Sequence, residues 1–166
     1  MSSKPLAERQ QALMRTLDFT EEDLAHNEAG ELSPSQRAFL EEGRVLAIAG
    51  FGVALILVTV WVSHQPRTGL PINLLIMSVP LIGLIFYLDR SRRFAASGKI
   101  AVVEGTATVT YTYLRRGAGF YTLAVHGKVF SLSRAMVKAF ENGEKYRIYY
   151  RPDNKMIFSA LALEDG

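Results

Sequence analysis

VLAIAGFGVALILVTVWV, Val45–Val62, and LPINLLIMSVPLIGLIFYL, Leu70–Leu88, decide how this chain is read. Neither run carries a charged side chain, and only residues 63–69 separate them. At roughly 1.5 Å of rise per residue, each helix would cross most of a hydrocarbon core about 30 Å thick. The expectation is a membrane protein built on an α-helical transmembrane hairpin.

Working outward, the flanks set an expected orientation. Asp89-Arg90-Ser91-Arg92-Arg93 and Lys99 follow the second run, Arg37 and Arg44 precede the first, and the loop holds only Arg67. Positive charge stays on the cytoplasmic side, so both termini are expected there, in a multi-pass protein of two spans. Trp61 at the outer end and Phe86, Tyr87 and Phe94 at the inner end suit the interfacial aromatic belts. Arg90, Arg92 and Arg93 are placed to snorkel or to meet anionic headgroups, each charge contributing about 1 kcal/mol. Trp61, Tyr87, Arg90, Arg92 and Arg93 are therefore the candidate lipid contacts.

Gly43, Ala47, Gly50 and Ala54 recur at intervals of four, three and four residues. Small residues in one stripe let helices approach closely in lipid. They are candidates for helix packing, against the second run or against a partner helix or second copy. In the second run, Pro71 suits a helix start, Pro80 should kink the helix, and Asn73 should reach headgroups or loop water. No ionisable residue lies deep in either run, which argues against an ion or proton path through this chain alone.

The remainder divides by composition. Residues 1–44 hold five basic and nine acidic side chains, and residues 89–166 hold thirteen and seven. An acidic head and a basic tail imply distinct surfaces. The head is polar, without the apolar core of a cleaved signal peptide near its start. It is expected as a helix within residues 1–18 on Leu6, Leu13, Met14 and Leu17, then a short helix capped by Thr20. Ser33-Pro34-Ser35-Gln36 starts the long helix that runs into the membrane. There is no cysteine, which excludes disulfides and thiolate chemistry.

Beyond a short basic linker the period changes to two. Thr106, Thr108, Thr110 and Thr112 alternate with Ala107, Val109, Tyr111 and Tyr113, and further strands follow around Tyr121–Val125, Lys128–Leu132, Lys145–Tyr150 and Met156–Leu161. Arg115–Gly119 reads as a turn and His126-Gly127 as a tight hairpin. Ser133 should cap a short helix from Arg134 to Asn142. The expected fold is a small, mostly-β domain, an SH3-like or OB-like barrel with one short helix, on the cytoplasmic side. The expected organisation is an acidic helical segment (1–32), helix one (33–62), an external loop (63–70), helix two (71–89), a basic linker (90–98) and the barrel (99–166).

No constellation of reactive groups emerges. His26, His64 and His126 fall in three regions, Glu104 and Glu141 have no evident partner, and Ser133 lacks an elbow motif. Gly117-Ala118-Gly119 lacks the spacing and terminal Lys-Ser/Thr of a P-loop. Arg115, Arg116, Arg134, Lys138, Arg147, Arg151 and Lys155, with Tyr149 beside them, suggest a basic face, for which an anionic leaflet is a better match than nucleic acid.

The hairpin followed by a β-domain ending in Gly143-Glu144-Lys145-Tyr146-Arg147-Ile148-Tyr149-Tyr150-Arg151-Pro152 resembles a group of uncharacterised bacterial membrane proteins with a two-helix hairpin and a small C-terminal β-barrel domain. The layout is also distantly similar to NfeD-type proteins. The resemblance implies a bacterial inner-membrane location and an anchor or scaffold role. The expected function is that of a non-enzymatic membrane anchor, adaptor or accessory subunit acting through the β-domain. A sensor of lipid or membrane state, reading anionic headgroups, is the alternative. The expected partners are the lipid bilayer and a protein partner or second copy, with no cofactor, metal, small-molecule substrate or nucleic acid.

Overall fold

Thirteen alternating residues, Ala101–Tyr113, form the longest strand of the chain, β1, and its two halves serve different neighbours. In this computed structural model, which describes residues 5–64, 70–113 and 119–164, Ala101–Thr106 pair with β4 (Lys145–Tyr150). Ala107–Tyr113 pair with β2 (Gly119–Val125). β3 (Lys128–Leu132) pairs with β2 and β5 (Ile157–Ala162) with β4, all antiparallel, giving the order β3-β2-β1-β4-β5.

β3 and β4 are separated by two strands, which would leave them about 14 Å apart in a flat sheet. The rings of Phe130 and Tyr150 nevertheless meet edge to face at 5.0 Å. The sheet is therefore curled over its own core. A Cβ added at Gly105 would sit 3.2 Å from the Cβ of His126, so a side chain there would crowd the β2–β3 turn. The ladder that would close a barrel, β3 to β5, is missing among the described residues. The expected barrel is thus a curled five-stranded antiparallel sheet with two edges.

The hairpin joining β2 to β3 follows its sequence signal. His126 (φ 43°) and Gly127 (φ 75°) both take left-handed backbone, the type I′ combination whose twist matches the flanking strands. Ser133 accepts a hydrogen bond from the Met136 amide at 3.2 Å, but the N-cap position falls to Ala135, which has no side-chain group to offer. The helix there is only a 3₁₀ segment, Met136–Ala139, because Phe140 already has extended backbone.

The N-terminal residues are not a separate segment. Met1–Ser33 and Lys99–Gly166 form one compact unit, and Pro34–Gly98 a second. Helix α1 (Leu6–Leu17) and helix α2 (Glu21–Glu28) belong to the first. Leu13 and Phe19 are buried in the same cluster as Val103, Leu123, Phe130, Tyr146 and Ile148. α1 packs on β5 and on the 3₁₀ segment Met136–Ala139, and α2 packs on β5. Thr20 starts α2 through a capping box. Its hydroxyl accepts from the Asp23 amide while the Asp23 carboxylate accepts from the Thr20 amide at 2.8 Å and from the Ser33 hydroxyl.

The second unit is two long helices, α3 (Pro34–Ser63) and α4 (Leu70–Ser97), about 45 and 42 Å long. A Cβ added at Gly98, just past the end of α4, would lie 4.0 Å from the Arg37 guanidinium near the start of α3, so the pair is antiparallel. The expected basic linker 90–98 is instead the last two turns of α4. Arg, Ser, Phe and Ala sustain a helix, and the first breaker is Gly98, which ends it at φ 59° with its amide on the Phe94 carbonyl. The loop carrying Arg67, the Arg115–Ala118 part of the turn and the side chains of Pro71, Asn73 and Pro80 lie outside the described residues.

A candidate interaction surface on the sheet

Alternate residues of β1 face the core, and that row continues past the point where the core ends. Val103 and Ala107 are buried, Val109 is half-buried, and Tyr111 and Tyr113 stand 39% and 76% exposed. The cause is unequal strand length, because β4 reaches only to Thr106 of β1. The Ala107 amide still reaches the Glu144 carbonyl, and the one after it on that edge, Val109, is taken by the Asn142 side chain at 3.0 Å. Beyond it the β1–β2 hairpin overhangs the body.

On the overhang Tyr111 and Tyr121 are directly paired across the strands, with rings 4.6 Å apart, and Tyr113 meets Tyr111 edge to face at 4.9 Å. Gly119 makes room for this stack. A Cβ there would collide with the Tyr111 phenol and lie 2.9 Å from the Thr112 carbonyl oxygen. The rings, with Phe120, Leu132 and Arg134, line an open groove of about 620 Å³. The groove offers aromatic faces, phenol groups and one guanidinium. That inventory provides ring faces for stacking and phenol and guanidinium groups for hydrogen bonds. Among the described residues no group of three His, Cys, Asp or Glu side chains could hold a metal ion.

The expected basic face is dispersed by the fold. Arg147 pairs with Glu104 at 2.8 Å, its neighbour across β1–β4, so Glu104 does have a partner; that hydrogen bond also raises the guanidinium's already high pKa. Arg151 is buried and holds Asp153 through two nitrogens. Tyr149, expected on an exposed face, is 2% exposed, with its hydroxyl directed at Glu28 of α2. Burial is the main cause of its raised pKa. Arg134, Lys138 and Lys155 remain exposed, and Arg115 and Arg116 lie outside the described residues.

In the helical unit, Trp61, Tyr87, Arg90, Arg92 and Arg93 are all exposed, with Arg93 paired to Asp89 at 2.7 Å one turn earlier. Phe94 is buried. Among the stripe residues Gly43 and Ala47 are half-buried, and Gly50 and Ala54 exposed. A Cβ added at Gly43 or Gly50 would meet no described atom within 4 Å.

A polar network joins α1 and α2 to the sheet and escaped the sequence reading. Arg9 pairs with Glu144 and donates to the Leu163 carbonyl at 3.3 Å. Gln10 donates to the Ala160 carbonyl at 3.2 Å and accepts from the Ala162 amide at 2.9 Å. Asn27 donates to Ser159 at 2.7 Å. Its signal was present, since Arg9 and Gln10 interrupt the apolar stripe Leu6–Leu13–Leu17. Polar residues inside a buried stripe need partners on whatever the stripe covers.

No protein-family model and no curated protein matches this sequence.

Proposed function

We propose that this chain is a non-enzymatic membrane anchor and adaptor, in which α3 and α4 cross the bilayer and the sheet unit presents the tyrosine groove to a protein partner. One observation carries the reading. Residues from before α3 and after α4 fold into one body, and the helices between them carry a large exposed apolar surface. Pro34–Trp61 is long and apolar enough to cross a membrane, and none of its apolar window is buried. Leu46, Ile56, Leu57, Ile85 and Phe86 stand 57–72% exposed. Soluble proteins rarely expose contiguous apolar patches beyond a few hundred Å². A body assembled from both sides of the pair cannot form across a bilayer, which favours an even number of crossings. The arginines after Leu88 favour the cytoplasm for that body, and the resemblance noted above favours a bacterial inner membrane.

The alternative of a headgroup sensor has less support, because Arg147 and Arg151 are engaged within the fold.

The cysteine-free sequence makes the test direct. Glu8→Cys and Lys155→Cys should react together with an impermeant thiol reagent on one side of sealed vesicles, and His64→Cys on the other. Labelling of Glu8→Cys and Lys155→Cys from opposite sides, or recovery of the chain in the aqueous phase, defeats the anchor. For the adaptor role, a photo-crosslinking residue at Tyr113 should give one reproducible protein adduct in native membranes, where the same residue at Thr108 does not. Equal labelling from both positions defeats it.

A further inference from the structure

The two edges of the sheet are treated differently. At β5 the Gln10 side chain supplies one acceptor and one donor to Ala162 and Ala160, as a neighbouring strand would. Nothing comparable covers β3 among the described residues. In the two-residue hairpin, Val125 and Lys128 close the turn and exchange hydrogen bonds, so Lys128, Phe130 and Leu132 direct their backbone groups to β2. The opposite phase checks this. Ala107, paired with Val125, directs its amide and carbonyl away from β2, to Glu144 and Gly143. Val129 and Ser131 therefore turn their amides and carbonyls outward, and both residues are exposed.

We infer that β3 is a docking edge for a second copy of this chain, pairing antiparallel about Phe130. In that register Val129 lies opposite Ser131 of the copy, and Ser131 opposite its Val129, so every outward backbone group is matched. Lys128, the one charged residue on the strand, lies opposite Leu132, so no like charges meet, and the strand holds no Pro. A five-residue edge cannot supply the roughly 1,200–2,000 Å² of a stable interface. Pairing therefore depends on the anchor, which holds copies in one plane at high local concentration. To that extent the inference rests on the proposed membrane reading.

The test uses the full chain in lipid vesicles. The double variant Val129→Cys/Ser131→Cys should form an intermolecular disulfide on mild oxidation, because paired Cα atoms lie about 5.5 Å apart. Either single variant, and Lys155→Cys as a collision control, should cross-link far less. Val129 and Ser131 also present exposed side chains, so charges can be added without entering the core. Val129→Lys/Ser131→Lys should lower the dimer fraction roughly three- to tenfold relative to Val129→Glu/Ser131→Lys, which sets opposite charges face to face. A chain that floats with vesicles yet cross-links no better than the collision control, or one indifferent to the charge pattern, overturns the docking edge alone. A chain that does not float overturns the anchor, and with it the concentration on which pairing depends.

Discussion

Arg9 and Glu144 stand 135 positions apart and form an ion pair in which both side chains are largely withdrawn from water, at 7% and 14% exposure. The pair fastens α1 to the turn before β4. Removing one partner leaves the other charge without compensation. Glu144→Gln should therefore cost about 3–5 kcal/mol. The paired replacement Arg9→Met/Glu144→Leu should cost much less, since two apolar groups restore packing without a stranded charge. Chemical denaturation of the full chain in mild detergent, followed by its sheet signal, separates the two. Equal losses would mean that the pair contributes packing and little else.

Gln10 acts as a one-residue strand along β5. Gln10→Ala strands the Ala160 carbonyl and the Ala162 amide, at about 1–3 kcal/mol for each buried group left unsatisfied. Amide exchange at Ala162 should accelerate well before that at Ile148 in the central part of the sheet. Uniform acceleration would point to global loss of stability instead.

Tyr146 is buried at the centre of the core, and its hydroxyl accepts the Glu141 amide at 2.9 Å. Burial raises its pKa above 10.0, and the amide only partly opposes the shift. The folded value exceeds the unfolded one, so the contribution is complete below about pH 10 and is lost as pH climbs through the folded value. Stability should fall with alkali above that point. Tyr146→Phe should lower stability at neutral pH by about 1–3 kcal/mol, because the Glu141 amide loses its acceptor. It should also flatten the alkaline slope, leaving the part due to Tyr149. An unchanged slope in that variant would place the alkaline transition elsewhere.

Gly119 sits beneath the Tyr111 ring. Gly119→Ala must push that ring aside and strain the Thr112 carbonyl, and neither Tyr111 nor Thr112 belongs to the buried core. Crosslinking through position 113 should fall while the thermal transition of the sheet moves by only a few degrees. Crosslinking that survives would remove the tyrosine stack from the docking surface.

Much of the local structure was legible in the chain. Thr20 capping α2, Pro34 opening α3, the His126-Gly127 turn and the alternation along β1 rest on backbone conformation and period, which neighbours in sequence determine. The groove was half legible. Tyr111 and Tyr113 could be placed on one face of a strand, but whether that face met core or solvent depended on where β4 stops. The basic cluster misled for a related reason. Arg147 and Arg151 look like surface charges until Glu104 and Asp153 are placed beside them.

The sequence by itself determined the two long apolar helices, the five strands and the turns between them, because these follow from local hydrophobic period and the torsional limits of Gly and Pro. Only the tertiary structure decided that the first 33 residues complete the sheet unit, that Tyr149 and Arg151 are interior, and that one sheet edge is covered while, among the described residues, the other is open. Those outcomes depend on pairs such as Arg9–Glu144 and Gln10–Ala162. Hydrogen bonds and ion pairs between residues more than 130 positions apart leave no period in the chain that carries them.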